Sequence, residues 1–386
     1  FNNGLVMFMA PDSCLGLYLN TLAQVESGEI SMARLDQAIG RILRVKIRAG
    51  LFEAGLPSER KYAGRFDLLA APEHRALARK AVRQSLVLIK NANQLLPLSP
   101  SANILVAGDG ADNLSKQTGG WTLSWQGTGN SPEHFPDAVS IFDGIHEQVK
   151  AAGGTAILSP EGEYKTKPDV AVVVFGENPY AEFQGDRAHL DFRSEEGLRL
   201  LKKFKSEGIA TVAIFISGRP MWVNPELNAS DAFVAAWLPG TEGAGIADVL
   251  LRNASGDIQF DFHGKLSFSW PRTAVQTAVN LGDEDYNPLF AYGYGLGYAD
   301  TGNFEALSED AQLGDMAEGQ NNNFLKAGEP VSPWRLAMHD SLGAVQINNS
   351  KATSASGALT MSALDYRGQE DTRLFVFTGA AELAVE

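Results

Sequence analysis

Apolar and polar positions fall into three textures along this chain. Residues 5 to 10, Leu-Val-Met-Phe-Met-Ala, form a short apolar run of the kind a buried strand makes. A helical pattern follows through Leu15, Leu19, Leu22 and Val25 to Gly28. A second helix is expected from an N-cap at Ser31, with Leu35, Ala38, Ile39, Ile42, Leu43, Val45 and Ile47 at helical spacing and Gly50 as its stop. One strand and two helices do not fill a core, so residues 1–52 read as the tail of a domain that begins upstream. Residues 53–72, with Gly55, Pro57, Gly64 and Pro72 and little periodicity, read as a linker over a surface.

The second texture is regular. Glu73 to Ile89 is predicted helical, having neither Gly nor Pro. Short apolar runs then alternate with helical patterns. The runs are Ile104–Ala107, Thr155–Leu158, Val170–Phe175, Thr211–Ile216 and Ala232–Trp237; the helices are about Ser140–Ala152, Ser194–Glu207 and Gly243–Leu250. This alternation predicts an α/β domain over residues 73–300, with a mostly parallel sheet covered on both faces. Ligands of such sheets bind at the loops leaving the C-terminal strand ends. In the third texture Asn303–Val331 is polar, and short alternating runs such as Ala344–Ile347 and Leu374–Phe377 follow. Residues 303–386 are therefore expected to enter an antiparallel β-rich domain without finishing it.

Length and composition narrow the function. At about 150 residues per domain, 386 residues suggest two or three domains. A chain with 44% hydrophobic and 20% charged residues is ordinary globular material. With 32 basic against 46 acidic side chains the net charge is −14, which repels nucleic acid and anionic membranes. No run approaches the roughly 20 apolar residues of a membrane span. The single cysteine, Cys14, excludes an internal disulfide and a multi-cysteine zinc site, and is expected to serve packing. The six histidines stand singly at 74, 134, 146, 189, 263 and 339, without metal-ligand spacing. No metal and no organic cofactor are expected. The N-terminus starts at Phe1 with no visible signal peptide, and the chain is expected to be a segment of a longer protein.

Two loops carry candidate chemistry. Gly119 to Gly127, Gly-Gly-Trp-Thr-Leu-Ser-Trp-Gln-Gly, places two Trp in a glycine-bounded loop after the first parallel strand. Flat apolar rings with one N–H donor suit the C–H faces of sugars. Either ring would equally serve as a core anchor; the flanking glycines favour an exposed platform for Trp125 and a structural role for Trp121. Gly176 to Arg187 follows the strand Val170–Phe175 and holds Glu177 and Glu182 beside Tyr180 and Phe183. Desolvation by such neighbours would raise a carboxyl pKa, as a general acid requires, and a merely solvated acidic loop is the competing view. Asp186 and Arg187 are expected to pair locally. Arg219, in Ser217-Gly218-Arg219-Pro220, is left either structural or cleft-lining. Gly293-Tyr294-Gly295-Leu296-Gly297 lacks the context and spacing of a dinucleotide site.

In order along the chain, Asn2–Pro11, Leu35–Phe52, Arg83–Leu98, Gly119–Gly127, Gly176–Arg187, Leu238–Gly245, Lys265–Pro271 and Pro288–Gly297 resemble glycoside hydrolase family 3, the β-glucosidases and exo-β-glucanases. The paired loops most resemble the exo-acting β-1,3/1,4-glucanase branch. The resemblance implies that residues 1–52 end an eight-stranded (β/α) barrel and that residues 73–300 are an α/β sandwich. It implies a retaining mechanism with two carboxyls about 5–5.5 Å apart. Glu182 then matches the acid/base, with Glu177 as the alternative, and Trp125 matches the aromatic clamp for the leaving-group sugar. The nucleophilic aspartate belongs to a barrel segment upstream, which Asp12 does not match, and Cys14 stands where relatives often have an aromatic residue.

The expected substrate is a β-glucan or oligosaccharide, released as glucose from non-reducing ends. The expected partner is the missing N-terminal barrel of the same chain, so the segment alone is expected to be inactive. No nucleic acid or membrane insertion is expected, and the resemblance implies a periplasmic or secreted enzyme. The rivals are a non-catalytic carbohydrate-binding or scaffold remnant of this fold and, last, a flavodoxin-like nucleotide-binding enzyme. The last is disfavoured because Gly108-Asp109-Gly110-Ala111-Asp112 sets two acids where phosphate-cradling glycines belong.

Overall fold

The computed structural model describes residues 1–10 and 13–313, and beyond them the backbone of short strands between 325 and 378. The chain divides into two compact units, Phe1–Ala71 and Pro72–Glu386.

In the first unit the two expected helices form: α1 (Cys14–Glu26) and α2 (Met32–Arg48). Ser31 caps α2, its hydroxyl accepting from Arg34 N at 3.2 Å, and Gly50 closes it at φ 66°. Residues 5–10 are not the expected buried strand. They are irregular, with Leu5, Met7 and Met9 exposed, and pair with no strand among the described residues. An apolar run becomes a strand only beside another, since its backbone groups need partners. The segment is held instead by Arg34, whose guanidinium donates to Phe1 O at 2.9 Å and Leu5 O at 2.7 Å. Cys14 is exposed at the start of α1, not packed, and α1 buries none of its residues. Residues 53–71 carry only two single-turn helices, at Pro57–Glu59 and Phe66–Leu68.

The second unit opens with α3 (Pro72–Ser85), and here the expected helix to Ile89 is corrected. Val87–Asn91 is strand β1, buried throughout, because a short aliphatic run has no period that separates helix from strand. The sheet continues with β2 (Asn103–Ala107), β3 (Thr155–Leu158), β4 (Val170–Gly176), β5 (Ala210–Ile216) and β6 (Ala232–Trp237). Its order is β1-β6-β5-β4-β2-β3, all neighbours parallel except β1 on β6. Helices α4 (Leu114–Thr118), α5 (Ile141–Ala151), α6 (Glu195–Ser206), α7 (Asn224–Ala229) and α8 (Ala244–Leu250) complete the unit.

Alternate strand residues build two cores. Ile104, Val106, Val172, Val174, Ile214 and Val234 pack with Val82 of α3, Ile145 of α5 and Ile246 of α8. Leu105, Ala107, Val173, Phe175, Phe215 and Phe233 pack on the opposite face with Leu200 and Phe204 of α6, Leu227 of α7 and Trp270. Both faces are dry, so the strands read as unbroken apolar runs. Asp248 of α8 ties the helices on the first face, accepting from Arg79 at 2.7 Å and Arg83 at 2.7 Å.

The chain leaves β2 for β3 on one side and returns to β4 on the other. Such a reversal opens a crevice at the C-terminal strand ends, and the loops after β2 and β4 both flank it. Those are the tryptophan loop and the Glu177–Glu182 loop.

Further on are the strands β7 (Leu325–Lys326), β8 (Glu329–Pro330), β9 (Arg335–Asp340), β10 (Gly343–Val345), β11 (Lys351–Ala355), β12 (Ala358–Ser362) and β13 (Leu374–Thr378). Their pairs, β7–β8, β10–β9, β13–β9 and β11–β12, are all antiparallel. Gln346 and Ile347, from one of the expected runs, lie outside the described residues.

Candidate active site

The tryptophan loop is anchored before it begins. Lys116 of α4 is buried, and its ammonium donates to Asp109 Oδ2 at 2.6 Å and to Gly176 O at 3.0 Å, joining the ends of β2 and β4. A buried cation is tolerable because it is paired and hydrogen-bonded. Gly120 then lets the loop touch the Glu182 loop: a Cβ there would stand 1.8 Å from Tyr180 O. Trp121 and Leu123 turn the chain at φ 58° and 61°, and Trp121 N donates to Trp125 O at 2.9 Å.

Glu182 is where the two loops meet. Its Oε2 accepts from Trp125 Nε1 at 2.7 Å and from Trp121 Nε1 at 3.0 Å. Trp125 stands edge-on to Phe183, with centroids 5.8 Å apart. Trp125 is 46% exposed, as expected of it, but Trp121 is 69% exposed and is not the structural anchor expected of it. Its ring is held at the surface by its bond to Glu182.

The expected upward shift of the carboxyl pKa is also corrected. The Trp125 N–H above all, with the backbone N–H of Glu182 and the Trp121 N–H, holds the Glu182 carboxyl below the usual carboxylate value, against a smaller effect of burial. Glu182 is exposed, and both indoles approach it by their N–H edges rather than their apolar faces. Hydrogen bonds to the charged form outweigh desolvation in that geometry.

Glu177 has a different set of partners. Its side chain is 8% exposed and paired with Arg219, whose Nη2 donates at 2.6 Å, while Ser217 Oγ donates at 2.7 Å. Arg219 also donates to Gly185 O at 2.6 Å and lies over the Tyr180 ring at 4.4 Å. Arg219 is thus the structural clamp of the loop, bracing its start against its end. Beside this cluster, burial and the Glu177 carboxylate push the Tyr180 hydroxyl well above its ordinary value.

The expected Asp186–Arg187 pair does not form. Arg187 turns to Asp191, donating to its carbonyl at 2.9 Å, and Asp186 stays exposed. A neighbour one residue away points off along a different direction, whereas four residues brings Asp191 within reach. Gly293–Gly297 is a strap along β1, with Leu296 N donating to Leu88 O at 2.9 Å and Tyr294 OH to Ile89 O at 3.0 Å. Asp12 lies outside the described residues. Among the described residues no group of three or more His, Cys, Asp or Glu is gathered as metal ligands.

Three participants had no role in the sequence reasoning: Lys116, Gln126 and the Trp121 N–H. The signal for Gln126 was its place, directly after Trp125 and before a glycine. Its carboxamide accepts from Ala181 N at 2.7 Å and donates to Glu182 O at 3.0 Å.

Residues 86–298 match the model of the glycosyl hydrolase family 3 C-terminal domain. The chain is 32% identical to the lysosomal beta glucosidase of Dictyostelium discoideum, over 71% of this chain and 35% of that protein. It is 29% identical to the periplasmic beta-glucosidase of Salmonella typhimurium, over 76% of this chain and 44% of that protein. The chain therefore spans well under half the length of these two relatives. Among solved structures, the exo-1,3/1,4-beta-glucanase of a Pseudoalteromonas species superposes with a TM-score of 0.75 at 46% identity, over 92% of this chain and 45% of that one. A point mutant of the same enzyme gives 0.74 at 54% identity, over 81% and 50%. The sheet of reversed order, the loops that meet at its switch point and the matched residues agree, and the chain belongs to glycosyl hydrolase family 3.

Proposed function

We propose that this chain supplies the acid/base half of a retaining, exo-acting β-glucosidase or β-glucan glucohydrolase. One observation carries the proposal: a carboxylate, Glu182, exposed at the sheet's switch point and held by the N–H of a tryptophan that is itself 46% exposed. That puts a proton donor beside a surface on which a sugar stacks. The relatives' names, β-glucosidases and an exo-1,3/1,4-beta-glucanase, support the substrate class: β-glucans or their oligosaccharides, cut from non-reducing ends.

In the first step protonated Glu182 gives its proton to the glycosidic oxygen as the C1–O bond breaks, and an aspartate upstream of this segment bonds to C1. In the second step Glu182, now a carboxylate, takes a proton from water as its oxygen attacks C1 and the aspartate leaves. No metal or organic cofactor enters this scheme. The N–H bonds from Trp125 and Trp121 favour the charged form of Glu182, the form the second step uses. A sugar covering the pair would exclude water and favour the protonated form that the first step uses.

Residues 1–52 are assigned to the end of the barrel that carries the aspartate. The exposed Leu15, Leu19 and Leu22 of α1 support a larger domain covering them. The periplasmic and lysosomal relatives support a periplasmic or secreted location. Glu177 is set aside as acid/base, since both of its oxygens are engaged by Arg219 and Ser217.

The test is a leaving-group series in the protein carrying its barrel. Glu182→Gln should lose the most on alkyl and glucosyl glucosides and the least on dinitrophenyl glucoside, by a difference on the order of 100-fold or more. Glu177→Gln should show no such dependence. The opposite pattern would move the role to Glu177, and glucan binding without turnover by the barrel-bearing protein would mean a non-catalytic remnant.

A further inference from the structure

Aiming an acid demands that both its carboxylate and its backbone be fixed, and here two adjacent residues do the two jobs. Trp125 holds the carboxylate by its indole N–H. Gln126 holds the backbone: its carboxamide accepts from Ala181 N at 2.7 Å and donates to Glu182 O at 3.0 Å, as a peptide of a neighbouring strand would. Both bonds reach across more than fifty residues of sequence, and Gln126 is itself only half-exposed. The next residue after the acid, Phe183, has φ 70°, and the turn it makes bonds the two carbonyls, Gly185 N to Ala181 O at 2.8 Å and Gln184 N to Glu182 O at 3.0 Å, leaving the Ala181 N–H to Gln126.

We propose that Gln126 is a positioning residue which fixes the acid relative to the sugar platform; this rests on Glu182 being the acid/base. Its effect runs through Glu182. Because Trp125 and Gln126 are consecutive, ring, carboxylate and backbone form one closed unit, and loosening the carboxamide lets the carboxylate drift from the ring. A displacement of about 1 Å in a catalytic group costs up to about 100-fold.

Two variants test the inference. Gln126→Met keeps the length of the side chain and removes both hydrogen bonds, and Gln126→Ala checks that the result does not depend on the replacement. In the ¹⁵N-labelled chain of 386 residues, the Trp125 indole N–H resonance should move upfield, away from its carboxylate-bonded position, and its titration with Glu182 should shift to higher pH. In the barrel-bearing protein, kcat/KM on an alkyl glucoside should fall about 10- to 100-fold further than on dinitrophenyl glucoside. An unmoved Trp125 resonance, or an equal loss on both substrates, overturns the positioning role. If Glu182→Gln still shows the leaving-group dependence in that case, Glu182 remains the acid and only the role of Gln126 falls. If Glu182→Gln shows none, the assignment of the acid has failed and the positioning role with it.

Discussion

A tryptophan can change a neighbouring carboxyl in two opposite ways. Its face excludes water and raises the pKa; its N–H edge donates to the charged form and lowers it. Sequence shows only that Trp and Glu are both present, whereas at Glu182 both indoles present their N–H edges and the Trp125 bond lowers the pKa by more than burial raises it. This gives a pH prediction with a definite sign. The alkaline limb of kcat/KM reports loss of the acid's proton in the free enzyme. Trp125→Phe removes the largest cause of the lowered pKa, so that limb should move to higher pH, measured over a full pH–rate profile. Trp121→Phe should move it the same way by less. A limb that stays fixed, or moves to lower pH, contradicts the assignment of Glu182 or its coupling to the indoles.

At the scale of elements, the site depends on two loops approaching closely. Gly120 is the contact point, where a methyl group would meet Tyr180 O at 1.8 Å. Gly120→Ala should therefore push the loops apart and destabilise the unit by about 1–3 kcal/mol, read by urea unfolding, with the sheet's circular dichroism unchanged. A stability equal to the parent's would mean that the loops are not seated on each other as described.

The sheet itself was legible from sequence because both of its faces are dry: β2 to β6 stand out as apolar runs between helical patterns. β1 was not, since Leu86 to Ile89 continues α3 without a Gly or Pro to stop the helical pattern. The helices α4 and α7, of 5 and 6 residues, are too short for a period to show. The loops' place at the C-terminal strand ends followed from the pattern, and the candidacy of Glu182 and Trp125 from the family resemblance; the strand order that makes this a switch point did not. The network between them did not follow from either, because Trp125 and Glu182 are 57 residues apart and nothing local announces which donor an exposed carboxylate will find. Residues 5–10 misled for the complementary reason: strand character was present, but among the described residues a partner was not.

Across the whole molecule, the net charge of −14 suits a neutral polysaccharide substrate and disfavours nucleic acid. The chain spans 35% and 44% of two relatives' lengths, and in the proposed mechanism it holds one carboxyl of a pair divided between domains. The most direct test of that division is azide rescue of Glu182→Ala in the protein carrying its barrel, assayed on dinitrophenyl β-glucoside. The leaving group needs no acid, so the aspartate ester forms and accumulates; azide, needing no base, then attacks C1 and releases the aspartate. The prediction is acceleration by azide with β-glucosyl azide as product, while the 386-residue chain alone hydrolyses nothing. No acceleration, an α-configured product, or turnover by the chain alone would contradict Glu182 as the acid/base of a site completed by an upstream aspartate.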